Sequence, residues 1–280
     1  MTGQLSALAQ GKAAGTTGYT SKLLKTGQTT QYDSELDDGY YEVGVAKSYT
    51  VNTTGAQSGT TNVDLTHLVS DTGAFTAADK TYTDAGKCGV FKAGGGETVV
   101  ISGSASNNGV FTTVSATANT VVFVENIVNE ADAPATTFKK REAVSNNTVL
   151  DNNTGLTWMR YYSAKMGAAG TGTMPPTGVA YDMYQWCAAC NAASVGGYTD
   201  WRVPNIFEVI SLMDNQATRG YPDATAFPTM VTSDQYLMTS TSRADNTSMA
   251  MYIQYYYPAI QGRPKTEANL IHMLVRGGIA

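Results

Sequence analysis

Charged side chains are scarce in this chain of 280 residues. Lys, Arg, Asp and Glu supply 15% of the residues, against about 25% in an average globular protein, and the formal net charge is -5. The sequence has no run of Lys or Arg that could neutralise a series of phosphates, so we expect no nucleic-acid partner. The polar surface must come from Thr, Ser, Asn, Gly and Tyr instead.

Long apolar stretches are absent as well. No segment approaches the roughly 18 consecutive apolar residues of a transmembrane helix, and the first residues lack the basic-then-apolar layout of a secretion signal. We therefore expect no membrane insertion and assembly inside the cell that makes the protein. The three cysteines, an odd number, argue against a disulfide framework.

The few residues that could carry metal or redox chemistry are poorly placed for it. Cys187 and Cys190 form a C-x-x-C pair, which occurs in redox centres and as half of a zinc site. The pair falls inside a predicted helix, and the two histidines, His67 and His272, lie in other regions. Buried thiols are the simpler interpretation. No nucleophile motif accompanies either histidine, so we predict a protein that is not an enzyme and holds no metal or cofactor.

Composition divides the chain into three parts. Residues 1–47 are rich in Gly, Thr and Ala without periodicity, and we interpret them as an arm that gains order by docking on another protein, the alternative being a flexible leader. Residues 48–142 show short strands cut by Gly and Asn turns, which predicts a small all-β barrel or sandwich. An Asn-Gly pair at 108–109 favours a tight hairpin. The predicted strands are Val99–Gly103, Gly109–Val114 and Thr120–Val124.

Residues 143–280 combine strands with two helices, which makes the whole chain an α+β protein. The first helix is predicted over Val179–Ser194, where apolar residues recur every three or four positions, and Gly196-Gly197 ends it. The second begins at Asn205, which can cap it, and Glu208 can reach back to the backbone of the cap. Strands are predicted before and after the helices, within 149–160, 236–241, 249–255 and 270–276.

Four sequence motifs follow one another in this last part. They are Thr154-Gly155-Leu156-Thr157-Trp158, the helix end Cys190-Asn191-Ala192, the block GGYTDWRVPN from Gly196 to Asn205, and the closing Val275-Arg276-Gly277. In this order they resemble the Lcl C-terminal domain family, a C-type-lectin-like group found in secreted bacterial proteins and phage proteins. The resemblance implies a C-type-lectin-like domain over residues 143–280.

Two features depart from the family pattern. Family members often pair the helix cysteine with a cysteine in the last strand, but Met273 and Leu274 occupy that stretch here, so Cys190 lacks this partner. The Glu-Pro-Asn and Trp-Asn-Asp signatures with which sugar-binding C-type lectins hold calcium are absent too. The resemblance therefore implies neither the disulfide nor calcium-dependent sugar binding.

The block from Gly196 to Asn205 is expected to build the scaffold of this domain. Trp201 can bury a large apolar area, and we expect it to share one hydrophobic core with Trp158 and the two helices. Arg202 is expected to hold a carboxylate or backbone carbonyls in the loop, with Asp200 and Asp214 as the candidate carboxylates. Ligand contact is the alternative role for these residues.

A polar and aromatic stretch near the C-terminus is the candidate for recognition. Tyr and Arg give a large contact area at small entropic cost, and in C-type-lectin-like folds the late loops emerge together on one face. The alternative is that the tyrosines alternate into the core and the loop packs on a sister subunit. The candidate ligand-binding residues are Arg243, Asn246, Tyr255, Tyr256, Tyr257, Arg263 and Lys265.

The all-β part has a resemblance of its own. The segment from Ile101 to Thr112, followed by Thr120-Val121-Val122-Phe123, is similar to a β module of tailed-phage particle proteins. Together the two resemblances imply a virion surface protein of the tail-fibre or tail-tip type, which binds a glycan or protein on the host surface. We expect it to assemble in the host cytoplasm as a homo-oligomer, such as a trimer, and to attach to other virion proteins through its N-terminal arm. The alternatives are a structural decoration or head-fibre protein and a secreted bacterial adhesin, which the missing signal sequence disfavours.

Overall fold

The structure is a computed structural model that describes residues 25, 44–131, 135–161, 183–214, 220–230, 236–255, 259–265 and 271–277. Within these residues the chain is mostly β-sheet with two α-helices, a mixed α+β fold. The helices are α1 (Met183–Ala192) and α2 (Ile206–Ser211). The strands, in chain order, are β1 (Tyr49–Asn52), β2 (Thr60–Ser70), β3 (Ala74–Thr76), β4 (Thr81–Thr83), β5 (Thr98–Ser102), β6 (Gly109–Ala116), β7 (Thr120–Phe123), β8 (Thr136–Ser145), β9 (Thr148–Asp151), β10 (Leu156–Met159), β11 (Tyr236–Ser242), β12 (Met249–Gln254), β13 (Ala259–Pro264) and β14 (Val275–Gly277).

These strands form three sheets in the described part of the chain. A seven-stranded sheet has the order β2-β8-β5-β6-β7-β4-β3, a four-stranded sheet the order β1-β9-β10-β14, and a three-stranded sheet the order β11-β12-β13. Neighbouring strands run antiparallel in all three. The seven-stranded sheet precedes the other two in sequence, apart from β1.

The seven-stranded sheet contains the three strands predicted in residues 48–142, which are thereby confirmed. Alternate side chains of β5 and β6, such as Val99, Ile101 and Phe111, point into a core of aromatic and aliphatic residues. The residues between them face outward, because successive side chains of a strand point to opposite faces of the sheet. This alternation is what the sequence pattern indicated.

The tight hairpin predicted at Asn108-Gly109 is wrong. β5 ends at Ser102 and β6 begins at Gly109, so residues 103–108 form a longer loop. Glu130 holds this loop, since its carboxylate accepts hydrogen bonds from Ser104 Oγ at 2.5 Å and from the Ala105 N–H at 2.7 Å. A distant carboxylate therefore determines the shape of the connection, which the local Asn-Gly signal could not indicate.

Strand β1 does not belong to the all-β part, although the predicted boundary at residue 48 placed it there. It pairs with β9, with Tyr49 opposite Asp151 and Asn52 opposite Thr148. The four-stranded sheet therefore combines three strands of the C-terminal part with β1, which precedes the all-β sheet in the sequence. A pairing between strands so distant in sequence leaves no local pattern from which it could be predicted.

One hydrophobic core joins the helices to the two smaller sheets. It contains Trp158 of β10 and Trp201, which lies between the helices, and this confirms that the two indoles share one core. Val63 and Leu65 of β2 also belong to it, whereas Val99 and Phe138 of the same sheet belong to the second core. Leu68 of β2 packs against that second core, so β2 contributes side chains to the packing of both parts of the protein.

Parts of the predicted organisation lie outside the described residues. Of the N-terminal arm, residues 1–47, the structure describes residue 25 and residues 44–47, and the Lys25 N–H donates to the Val45 carbonyl at 2.9 Å. The start of the first predicted helix, before Met183, also lies outside. In the described part of the chain no helix is long and apolar enough to span a membrane.

Candidate functional site

The three-stranded sheet carries most of the residues proposed for recognition. Strand β12 lies in its centre, between β11 and β13. Tyr252 of β12 stands directly opposite Met238 on one side and Gln261 on the other, so these three side chains share one face of the sheet. The Tyr252 hydroxyl donates a hydrogen bond to Gln261 Oε1 at 2.9 Å.

Arg263 covers the tyrosines of this face. Its guanidinium carbon lies 3.9 Å from the ring centroid of Tyr236 and 5.2 Å from that of Tyr252. The two rings meet edge to face, with centroids 5.1 Å apart. The ring quadrupole attracts the cation, and stacking directs the guanidinium N–H groups sideways, in the plane of the group. Tyr236, Tyr252, Gln261 and Arg263 are named the Arg263 face below. Tyr252 is 1% exposed and lies beneath the guanidinium, so the surface offered to a partner is that of Tyr236, Gln261 and Arg263.

Arg243 lies on the opposite side of the same sheet. A Cβ atom built on Gly262 would collide with Cδ of Arg243, so the Arg243 side chain covers the side toward which residue 262 points. Gly262 and Arg263 are consecutive in β13 and therefore point to opposite faces. The expectation that Arg243 and Arg263 converge on one face is wrong, because the pleat of the strand separates them.

The turn between β11 and β12 is held by its own side chains. Arg243 Nε donates to Asp245 Oδ1 at 2.9 Å, the second guanidinium contact is to Asp245 Oδ2, and this pairing lowers the pKa of Asp245 below its ordinary value. Asn246 Oδ1 accepts hydrogen bonds from the Ser248 N–H at 3.1 Å and from its hydroxyl at 2.6 Å. The Lys265 N–H donates to the Ser248 carbonyl at 3.0 Å, so Lys265 lies beside this turn.

Tyr255 belongs to the core and not to the surface. It is only 2% exposed, and its hydroxyl donates a hydrogen bond to the Val209 carbonyl of α2 at 3.0 Å. Burial raises the pKa of its phenol well above the ordinary value. The expectation that Tyr255 contacts a ligand is therefore wrong, while Tyr256 and Tyr257 lie outside the described residues.

The prediction that Gly196-Gly197 ends the first helix is wrong in detail: α1 ends at Ala192, Ser194 (φ +54°) turns the chain, and the glycine pair lies in the next turn, where it contacts the all-β part. Both residues have positive φ, +66° and +80°, as the sequence indicated. Gln57 Nε2 donates to the Gly196 carbonyl at 2.8 Å, and a Cβ at position 197 would lie 2.9 Å from Cβ of Ala56. The glycines therefore allow close packing as well as the turn. Trp201 closes this loop, since its indole N–H donates to the Val195 carbonyl at 2.9 Å.

Arg202 holds a carboxylate, but neither of the two predicted ones. It forms a bidentate pair with Glu208, with N···O distances of 2.8 and 2.5 Å. Glu208 also completes the predicted capping box with Asn205, which is confirmed. Asp200 instead pairs with Arg276 at 2.6 Å, which lowers the pKa of Asp200. The sequence indicated the type of partner for Arg202 and missed its identity.

The thiols and imidazoles that could carry chemistry are buried. Cys187 donates its S–H to the Trp201 carbonyl at 3.1 Å, and burial raises its pKa to about 11. Burial raises the pKa of Cys190 further, and neither thiol forms a disulfide. His67 and His272 are buried as well. Among the described residues, no group of three or more His, Cys, Asp or Glu side chains could hold a metal ion.

Sequence reasoning missed three residues of the Arg263 face. Tyr236, Tyr252 and Gln261 were interpreted only as members of predicted strands or of the loop that follows them. The signal that could have found them is the pairing of strands with a period of two, since residues on one face recur at every second position. The loop predicted after the tyrosines contains β13, and recognising this strand is what reveals the face.

The candidate face lies in a mixed α+β domain, and a comparison with known families indicates which one. The model of the Lcl C-terminal domain family matches residues 147–276. The match begins just before β9, ends within β14 and spans both helices and the three-stranded sheet. It supports the family indicated by the sequence motifs for this part of the chain. No curated protein and no solved structure matches.

Proposed function

We propose that the chain is a non-catalytic surface protein of a bacteriophage particle, of the tail-fibre or tail-tip type. Its C-terminal part adopts a C-type-lectin-like fold and binds a receptor on the host surface through the Arg263 face. Its N-terminal arm, residues 1–47, attaches it to other virion proteins. The Lcl match over residues 147–276 supports an adhesion-type role for the C-terminal part. The similarity of residues 101–112 and 120–123 to a β module of tailed-phage particle proteins supports a location on the phage particle.

The stacking of Arg263 on Tyr236 and Tyr252 is the observation that carries the proposal. It places an extended, planar cationic surface at the edge strand of a sheet, next to the exposed amide of Gln261. Arg and Tyr contribute most to binding energy where a partner covers them, because they bring large area with few rotatable bonds. The exposed side-chain amide of Gln261 can donate to a glycan hydroxyl or a carbonyl.

The buried reactive groups support binding over catalysis. A nucleophilic thiol needs a lowered pKa and access to substrate, and burial raises the pKa of Cys187 to about 11. A general base must reach the proton that it removes, and His67 and His272 are buried.

A structural decoration or head-fibre protein is the second candidate. It is favoured by exposed apolar side chains on the all-β part, such as Val110 and Val124, which fit contact with a neighbouring protein. In this role the chain would cover or cement its neighbours on the particle and would have no receptor.

Two experiments separate these functions. Mass spectrometry of purified particles must find the chain in the virion, and its absence there would end the phage proposal. Purified protein, shown to be folded, is then added to host cells before infection. Competition with phage adsorption supports receptor binding. Unchanged adsorption, with the chain present in the particle, supports the decoration role instead.

A further inference from the structure

We propose that the all-β part is a domain inserted into the first β-hairpin of the C-terminal domain, so that the C-terminal domain begins at β1. The inserted domain is residues 53–147. The arm, residues 1–47, then leads directly into the domain that carries the Arg263 face, and the inserted domain is a separate folding unit between β1 and β9. This division of the chain holds whether or not the Arg263 face binds a receptor.

Strands β1 and β9 pair as the two strands of a hairpin do. The last residue of β1, Asn52, stands directly opposite the first residue of β9, Thr148. Antiparallel neighbours of this kind are usually joined by a turn of about two to five residues, and β9 and β10 are joined in this way by residues 152–155. Between Asn52 and Thr148 the chain instead leaves the sheet and returns to the same place after the whole all-β part.

The two ends of the inserted domain also lie side by side. Thr60, the first residue of β2, stands opposite Ser145, the last residue of β8. Just outside this pair, the Gly59 carbonyl accepts a hydrogen bond from the Asn146 N–H at 3.0 Å. Adjacent ends are what allow one domain to be inserted into another, because the interrupted strands can keep their pairing.

Each of the two domains has a hydrophobic core of its own. Among the described residues, all buried members of the second core lie from Phe75 to Phe138, within the inserted domain. The first core draws mainly on residues from Val149 to Val275, and Tyr49 and Val51 of β1 pack against it. A separate core is the physical criterion of a domain. By this criterion β1 belongs to the C-terminal domain.

Strands β2 and β8 form a two-stranded ribbon between the cores. Val63 and Leu65, near the start of β2, pack in the first core, whereas Phe138, near the start of β8, packs in the second. The register of the ribbon shifts between Thr66 and Leu68, where β2 passes from one core to the other. A bulge bends a strand at such a point. The base of the ribbon therefore rests on the C-terminal domain, and the rest of it belongs to the inserted domain.

The chain that enters β1 is held by the C-terminal domain. The Ser48 N–H donates to Asn153 Oδ1 at 2.9 Å, and Asn153 Nδ2 donates to the Ala46 carbonyl at 3.0 Å. Asn153 lies in the turn between β9 and β10. The Tyr49 ring packs edge to face on Phe227, with centroids 5.5 Å apart. These contacts fix the end of the arm to the C-terminal domain and not to the inserted one.

Hydrogen exchange of the full chain, measured by mass spectrometry, tests this division. Phe138→Ala leaves a cavity in the second core, so it should speed exchange at least about tenfold in residues 98–123 and leave residues 148–159 as in the wild type. Tyr49→Ala removes a contact of β1 with the first core. It should speed exchange at least about tenfold in residues 148–159 and leave residues 98–123 unchanged. Both expectations hold even where a variant unfolds its own domain completely.

Phe207→Ala is the matched control for Phe138→Ala, because it makes the same change at a residue that is 79% exposed. It should exchange like the wild type in both regions. Faster exchange of both regions in Phe138→Ala or in Tyr49→Ala would show one cooperative unit and overturn the proposal. Faster exchange of residues 98–123 alone in Tyr49→Ala would place β1 in the all-β part, with the same consequence. Wild-type exchange in both core variants would also overturn it, since neither core would then stabilise its own domain.

Discussion

Asn146 and Gly196 connect the two parts of the protein through a buried hydrogen bond. The Gly196 N–H donates to Asn146 Oδ1 at 3.0 Å. The same oxygen accepts from Thr61 Oγ1 at 2.8 Å, and the Asn146 amide donates to the Ser58 carbonyl at 3.0 Å. The Asn146 side chain, which directly follows β8 of the seven-stranded sheet, thus fixes the Gly196-Gly197 loop of the C-terminal part.

Asn146→Ala should destabilise the protein by about 1–3 kcal/mol, because it leaves buried donors without their acceptor. Urea unfolding, followed by tryptophan fluorescence, measures the change. Asn119→Ala is the control: its side chain also accepts a backbone hydrogen bond, from Gly86 at 2.8 Å, but is exposed. The control should lose less than about 1 kcal/mol. Equal losses of unfolding free energy in the two variants would show that burial adds nothing to the contribution of the Asn146 hydrogen bonds.

Gly197→Ala tests whether the glycine pair is needed for close packing as well as for the turn. Gly96 has the same φ, +80°, but has open space where a Cβ would stand, whereas a Cβ on Gly197 would meet Ala56. Gly96→Ala should lose about 1–2 kcal/mol from the backbone conformation alone. Gly197→Ala should lose about 1 kcal/mol or more beyond that from the steric contact. The extra loss of stability in Gly197→Ala, relative to Gly96→Ala, should shrink when Ala56→Gly is added. An extra loss that persists would contradict the packing argument.

Glu130 should make the all-β part sensitive to acid. Burial by itself would raise the pKa of Glu130, but hydrogen bonds from Ser104 and from the backbone of Ala105 and Ser106 outweigh it and hold this pKa below the ordinary value. The stabilisation is therefore complete above the unfolded pKa of about 4.3. It is lost as the pH falls through the lower pKa of the folded protein.

Glu130→Gln should consequently be less stable than the wild type at pH 7, by about 1–3 kcal/mol, and the gap should narrow as the pH falls below about 4. Unfolding at a series of pH values measures it. Asp71→Asn, which removes one exposed carboxylate, is the charge-matched control and should be as stable as the wild type at pH 7. A Glu130→Gln gap that stays constant down to low pH would rule out the carboxylate as its source.

The three cysteines should resist labelling in the folded protein. All are buried, and burial raises the pKa of Cys88 and Cys187 to about 11. Since the thiolate is the reactive form, a thiol reagent at pH 7 should modify them only slowly. In denaturant all three should react within the dead time of the assay. Rapid modification of Cys187 or Cys190 in the native state would reopen a redox role.

Local signals predicted much of this structure correctly. The capping box of Asn205 and Glu208 was predicted because both partners lie within one helical turn, and the strands of the all-β part were predicted from their alternation. Positive φ at Gly196 and Gly197 followed from the end of the helix pattern. In each case the physical cause lies within a few residues of the effect.

What sequence reasoning missed depends on contacts between distant segments. Three contacts join residues far apart in the chain. They are the pairing of β1 with β9, the ion pair of Arg276 with Asp200, and the hydrogen bond from the loop at Ala105 to Glu130. The separation of Arg243 from Arg263 has a different origin. It follows from the pleat of β13, a strand that lay within a predicted loop.

Binding of the purified chain to host cells tests the central claim most directly, with two arginines of the same sheet compared. Labelled wild type, Arg263→Ala and Arg243→Ala are titrated onto cells, and Arg263→Lys reports the loss of the planar stack with the charge kept. Wild type and Arg243→Ala should bind alike, while Arg263→Ala and Arg263→Lys bind at least about tenfold more weakly. Equal binding by all four folded proteins, or weaker binding by Arg243→Ala alone, would contradict recognition through the Arg263 face.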